Sequence, residues 1–241
     1  KIDFDACISC GKCVSACPFG AVHEKSQVID ILKHIKNGEK VIALIAPSIV
    51  GQFPGNIYQL KTAIKKAGFY DVYEVAQGAD VTTKNEACEF EERIEKNEPF
   101  MTTSCCAGYN QLIKKHLNDI KPFVSDTLTP MAYIGQIVKQ KEPNAKLVFI
   151  SPCVAKRVEV EEDPNVDYLM NFEELGALFV ARKIEILDCE EEAFDVESSK
   201  QGRGFGVTLG VSQAVKDALN KVDKEINEKM GAAAGPLSGL I

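Results

Sequence analysis

Residues 41–48 read Val41-Ile42-Ala43-Leu44-Ile45-Ala46-Pro47-Ser48, a continuous apolar run that Gly38 precedes and Pro47 ends. A strand buried on both faces looks like this, because helices cover both sides of a parallel sheet and leave no solvent face to alternate with. Outward from this run, Leu60, Ala63, Ile64 and Ala67 recur at helical spacing with lysines between them, and Gly68 closes that helix. Residues 72–75 read as a second strand, 86–95 as a helix, and 100–103 as a third strand running into Cys105. Residues 107–116 and 130–141 read as helices, 147–151 as an apolar strand ending at Cys153, and 172–182 as an amphipathic helix. The alternation predicts an α/β fold with parallel sheet, whose ligands lie beyond the C-terminal ends of the strands. Gly202, Gly204, Gly206 and Gly210 lack both a preceding strand and the spacing of a nucleotide loop, so a tight turn into a helix over 211–219 is expected.

The chain has 241 residues, of which 45% are hydrophobic and 26% charged, which excludes a disordered or fibrous protein. Its net charge of −7 with no basic stripe argues against nucleic acid. The longest apolar run is too short to span a bilayer and no signal segment opens the chain, so a cytoplasmic protein without a membrane partner is expected. Nine cysteines is an odd count, and four of them fall within residues 7–17, which points to metal or redox chemistry rather than to disulfides.

Cys7, Cys10, Cys13 and Cys17, followed by Pro18, spell C-x2-C-x2-C-x3-C-P. The two-residue gaps let one tight loop aim three thiolates at three corners of a four-iron cubane, with Gly11 relieving the crowding, and the fourth cysteine normally serves a different cluster. Only one such run is present, and zinc is the competing occupant. Residues 1–27 are expected to form a ferredoxin-like electron-transfer module, truncated relative to a two-cluster one, and residues 28–241 a second domain.

Thr103-Ser104-Cys105-Cys106-Ala107-Gly108-Tyr109 places adjacent cysteines at a strand-to-helix junction, where helix amides can stabilise a thiolate. Ser151-Pro152-Cys153-Val154-Ala155-Lys156 places a third thiol after another strand, with a cation three residues on. Each motif alone also fits a buried small hydrophobe.

Taken together, the TSCC and SPCVAK motifs behind a ferredoxin run resemble the first and second signatures of the iron-iron (FeFe) hydrogenase catalytic domain. APS at 46–48, the GAD-x-T stretch at 78–82, the acidic helix 86–93 and FGVTLGV at 205–211 have counterparts there too. The resemblance implies two lobes of mostly parallel sheet flanked by helices, with the active site between them. It implies that Cys106 and Cys153 hold a 4Fe-4S cluster, and that Cys105 exchanges protons with the bridgehead amine of a two-iron subsite carrying carbonyl, cyanide and dithiolate ligands. Lys156 and Ser48 would bind the cyanides, and the proton relay would run Cys105, Glu86, Ser125, Glu89, Arg93. Glu86 and Glu89, three apart, share a helix face, although Glu91, Glu92 and Glu95 around them also fit a solvated charged surface.

The departures are equally specific. The family's third motif supplies two more cysteines, and this sequence has neither: its tail Gly231-Ala232-Ala233-Ala234-Gly235-Pro236 resembles that motif's flank with alanine in place of cysteine. Ala107, Tyr109, Ser151, Met131 and Thr102 replace the family's proline, tryptophan, methionine, glutamine and phenylalanine, a pattern resembling its divergent, sensory branches. The expected function is therefore reversible splitting of molecular hydrogen into protons and electrons, slow or used for sensing. Its partners would be ferredoxin or a signalling domain, and maturation proteins for the two-iron site. A cubane-bearing relative in iron-sulfur assembly or redox signalling is the alternative. Cys88 is expected to pack in its helix and Cys189 to be incidental.

Overall fold

The run at 41–48 forms β1 (Val41–Ile45), every residue of it buried. The computed structural model describes residues 2–219. Before β1 come α1 (Lys12–Ala16) and α2 (Val28–Lys36). After it follow α3 (Ile57–Lys66), β2 (Asp71–Glu74), α4 (Val75–Glu95), α5 (Ala107–His116), α6 (Pro130–Lys141), β3 (Lys146–Ile150), α7 (Lys156–Glu162), β4 (Tyr168–Met170), α8 (Phe172–Ala181), α9 (Lys200–Gly204) and α10 (Gly210–Leu219). The four strands are parallel in the order β2-β1-β3-β4. Successive side chains of β1 point to opposite faces. Val41, Ala43 and Ile45 pack with Ile31 of α2, Ile64 of α3 and Leu175 of α8, while Ile42 and Leu44 pack with Ile134 and Val138 of α6. Burying one such aliphatic side chain contributes roughly 1.5–3 kcal/mol, so this central strand anchors both layers.

The α/β architecture with parallel sheet flanked by helices is the expected one, and among the described residues it holds a single four-stranded sheet in place of two. Residues 100–103 form no strand: Thr102 makes a single parallel bridge to Val124, and its hydroxyl and that of Thr103 bond to Tyr109 of α5 and Glu86 of α4. Val75 begins a helix instead of ending a strand, and that helix runs 21 residues where residues 86–95 were expected. Its buried residues, among them Val75, Ala76, Gly78, Ala79, Thr82, Thr83 and Glu86, share one face, but that face is built largely of small and polar side chains, so it shows no apolar stripe to read. α7 and the three-residue edge strand β4 were likewise too short to carry a period. The glycines after 200 form the short helix α9 and a turn rather than a turn alone. The tail 231–236 lies outside the described residues.

The GAD-x-T stretch is structural. A Cβ on Gly78 would sit 2.0 Å from the Pro130 carbonyl oxygen, which is how α4 lies directly on the start of α6. The Thr82 hydroxyl donates to the carbonyls of Gly78 and Leu128, each at 3.1 Å, and Asp80 accepts from the backbone N–H of Ser199 at 3.0 Å, fastening α9. Gly78→Ala forces α4 and α6 apart, and its expected cost is about 1–3 kcal/mol, read as a lower denaturation midpoint with unchanged slope; an unshifted midpoint would contradict the close approach.

Candidate functional site

Strand order reverses between β1 and β3, and the crevice beyond their carboxyl ends is where an open parallel sheet binds ligands. Ile45 pairs with Ile150, and the Ala46 N–H donates to the Ile150 carbonyl at 2.9 Å, so the chain leaves both strands at one level. From β1 it enters the turn Pro47–Ile49, which carries Ser48; from β3 it enters Ser151-Pro152-Cys153. FGVTLGV covers the first of these, since a Cβ on Gly206 would lie 2.8 Å from the Ser48 nitrogen. Arg203 holds that loop through two 2.8 Å bonds to the buried Glu74 at the end of β2. Among the described residues, the Ser48 side chain bonds to none of the other candidates.

Cys106 is the N-cap of α5 and has no side-chain capping bond, which leaves the helix's first amides facing its neighbourhood. Burial pushes the Cys153 thiol up against N–H groups of Lys156 and Ala155, and the proximity of Cys106 adds to it. The two signature motifs therefore meet. Lys156 Nζ lies 2.5 Å from Glu159 Oε2, and the other oxygen of Glu159 accepts from the Thr129 hydroxyl.

Although Cys105 keeps part of its surface, burial pushes its thiol up to about 11, with the charge of Glu86 adding to the effect. Glu86 is 1% exposed. Burial raises its carboxyl to about 7, against hydrogen bonds from Thr103 and Ser104 that favour the anion. Thr103, which the sequence reading missed, joins the two: its hydroxyl donates to Glu86 Oε1 at 2.6 Å and accepts from the Cys105 N–H at 3.4 Å. Its only signal was a hydroxyl two residues before the thiol.

Glu89 is the opposite case. Burial would raise its carboxyl, but Ser125 Oγ (2.5 Å), the Asp126 N–H (3.0 Å), Arg93 Nε (2.9 Å) and Thr127 Oγ1 (3.0 Å) all donate to it and hold it below the usual range. Arg93 also donates to Glu98 and to the carbonyls of Pro122 and Val124. The residues expected to form a relay thus fall into two hydrogen-bonded groups, Cys105-Thr103-Glu86 and Ser125-Glu89-Arg93, and among the described residues no hydrogen bond links them. A cleft of about 550 Å³ lined by Glu89, Arg93 and the exposed Cys88 opens the second piece to solvent. Two of the divergent positions satisfy each other, Thr102 Oγ1 and Tyr109 Oη lying 2.8 Å apart.

At the N-terminus, Ser9 and Gly11 adopt left-handed backbone (φ 58° and 74°), winding the cysteine loop tightly. The Ser9 N–H points at Cys7 Sγ (3.4 Å) and the Ala21 N–H at Cys17 Sγ (3.3 Å), and the latter lowers the Cys17 thiol. Among the described residues, no three His, Cys, Asp or Glu side chains close on one ion position. The fit to a cubane rests on four thiols at ferredoxin spacing and on amides directed at two of the sulfurs. For the second cluster the chain offers Cys106 and Cys153, and the two-iron group's further thiolate is not among its nine cysteines.

Residues 39–234 match the family "Iron only hydrogenase large subunit, C-terminal domain", and residues 1–23 the "4Fe-4S binding domain". The chain belongs to this hydrogenase family. It is 29% identical over 91% of its length to the NADP-reducing hydrogenase subunit HndD of Solidesulfovibrio fructosivorans and 31% identical over 82% to iron hydrogenase 1 of Clostridium pasteurianum. It spans 45% and 39% of those two proteins. It is also 22% identical, over 66% of its length, to the mouse cytosolic iron-sulfur assembly component 3, of which it covers 40%. A variant of the FeFe-hydrogenase HydA1 of Chlamydomonas reinhardtii superposes with a TM-score of 0.69 at 25% identity, covering 81% of this chain and 58% of that one. No helix among the described residues is long and apolar enough to cross a membrane.

The buried carboxyl has a stability signature. The folded chain holds the Glu86 proton up to about pH 7, whereas an unfolded one releases it near the ordinary value of 4.5. Its contribution is full below the unfolded value and is lost as pH rises through about 7. Glu86→Gln should match the parent in denaturant melts at pH 4.5 and exceed it by roughly 3 kcal/mol at pH 8; equal pH profiles would show that Glu86 ionises normally.

Proposed function

We propose that the chain serves a hydrogenase-type oxidoreductase that reversibly splits molecular hydrogen into protons and electrons, slowly or as a sensor. The observation that carries this reading is the Cys105-Thr103-Glu86 arrangement, a thiol kept neutral beside a carboxyl that titrates near pH 7. A proton donor-acceptor works best when its pKa is near the working pH. Cys105 Sγ keeps a proton in the site, Glu86 takes it up or returns it, and the Thr103 hydroxyl fixes the carboxyl's orientation. Ser125 and Glu89, with Arg93 holding Glu89 anionic, would carry the proton on to the cleft. Cys7, Cys10 and Cys13, with Cys17 as a further iron ligand, would hold a 4Fe-4S cluster, and Cys106 and Cys153 part of a second.

Lys156 and Ser48 would bind the cyanides of a two-iron group, which when bound would supply the hydrogen chemistry. The thiolate that would tie that group to the second cluster is missing from this sequence, and no step is assigned to it. An electron partner such as ferredoxin or a signalling domain, and maturation proteins, complete the proposal. A second reading, non-catalytic iron-sulfur assembly or redox signalling, is supported by the similarity to the iron-sulfur assembly component. Against it, a cluster scaffold has no use for a buried carboxyl that titrates near neutral pH beside a buried thiol.

Anaerobic loading with iron, sulfide and a synthetic two-iron group, followed by hydrogen-deuterium exchange in heavy water, tests the reading. The parent should show carbonyl and cyanide infrared bands and form HD. Cys105→Ala should keep its iron and lose at least about 100-fold in HD formation, whereas Cys106→Ala should lose the second cubane. A parent with cubanes but neither bands nor HD establishes the assembly or signalling reading.

A further inference from the structure

The cysteine loop is docked by the segments that follow the two signature motifs. Gly11 lies against Val154, next to Cys153, so closely that a Cβ there would be 2.3 Å from Val154 Cγ2. Arg157 bonds Glu24 (2.6 Å) and Gln27 (3.2 Å) behind the loop. The third clamp is α5, whose N-cap is Cys106 and whose last turn meets the loop. Lys115 Nζ donates to the carbonyls of Phe4 (2.9 Å) and Cys7 (2.7 Å), and His116 Nε2 meets the Ala6 carbonyl at 2.7 Å.

These contacts differ in charge. Arg157 is neutralised by Glu24 and Glu174. Lys114, next in sequence, pairs with Glu162. Lys115 pairs with no carboxylate among the described residues, and it delivers its charge to the carbonyl of a cysteine ligand. The C-terminal end of α5 points the same way with roughly half a negative charge, so without Lys115 the loop would face a negative end. One-electron reduction adds negative charge to a cubane, and nearby charge is among the levers that set its potential.

We propose that Lys115 is a positioning residue that raises the reduction potential of the N-terminal cluster. The inference rests on the reading that Cys7, Cys10 and Cys13 hold a cubane. The ammonium favours the reduced cluster and offsets the helix end, while His116 and the Gly11-Val154 contact fix the loop at the distance where that charge acts. The carbonyl of Cys7 is both a lysine acceptor and part of the ligand residue, so the same contact sets seat and field.

The test uses the reconstituted whole chain and its Lys115→Gln, Lys115→Met, Lys115→Arg and Lys114→Gln variants. Iron and sulfide are counted, and the N-terminal cluster is titrated by redox-poised EPR. The two neutral Lys115 variants should keep the cluster with a reduction equilibrium about tenfold less favourable, a fall of about 59 mV for one electron. Lys115→Arg and Lys114→Gln should stay within twofold of the parent. Equal potentials in all variants would overturn the proposal, as would a shift in Lys114→Gln as large as in Lys115→Gln. Loss of the cluster from both neutral variants would also overturn it, making Lys115 a seat and nothing more. A parent that binds zinc without sulfide would refute the cubane reading beneath it, which is a separate failure.

Discussion

The pairing of Ile45 with Ile150 is the rung on which the site hangs. Both strands are parallel and buried, so a slip of one residue would turn Ala43 and Phe149 towards the wrong helical layer. The register is thereby fixed by packing on two faces at once. Since strand order reverses at this rung, the segments after β1 and β3 leave into one crevice, and Ser48 and Cys153 reach it with no further device. The close approaches of Gly78 to α6 and of Gly206 to the Ser48 turn then bring α4 and the glycine loop over the same crevice.

Within that frame two carboxylates three residues apart have opposite character. Glu86 has one side-chain donor, Thr103, and almost no solvent, so burial wins and the proton stays to neutral pH. Glu89 has four donors, one of them a guanidinium, and remains an anion despite partial burial. Two groups with pKa values pushed apart are what directional proton transfer needs, and in the proposed function this asymmetry matters more than a continuous wire. Ser125 belongs with Glu89, to which its hydroxyl donates, and not with Glu86.

Family membership sets the class of chemistry without deciding the reaction. The same domain underlies hydrogenases and an iron-sulfur assembly component, and what separates the proposals is whether the crevice handles protons as well as thiolate-bound iron. The described geometry supplies the proton-handling groups, while the cysteine count leaves the two-iron donor set short. The N-terminal loop is docked against the segments that follow both signature motifs, an arrangement compatible with either reading.

The sequence alone determined the class of fold, since a short run apolar at every position between Gly38 and Pro47 fits a strand covered on both faces, and its alternation with helices points to a parallel sheet. It also made the candidate thiols legible, because cysteine spacing and the adjacent pair are local features. The tertiary structure decided the rest. The first half of α4 was illegible because its buried face carries small and polar side chains such as Gly78, Thr82 and Thr83 instead of an apolar stripe, and the strand expected at 100–103 gave way to one bridge to Val124, with the Thr102 and Thr103 hydroxyls bonded to Tyr109 and Glu86. Thr103, Thr127 and Lys115 were invisible in sequence, since a hydroxyl or an ammonium gains its role from the carboxylate or carbonyl that folding brings to within 3 Å. The opposite protonation of Glu86 and Glu89 has the same origin: identical side chains differ only in how many donors replace the water that burial removes.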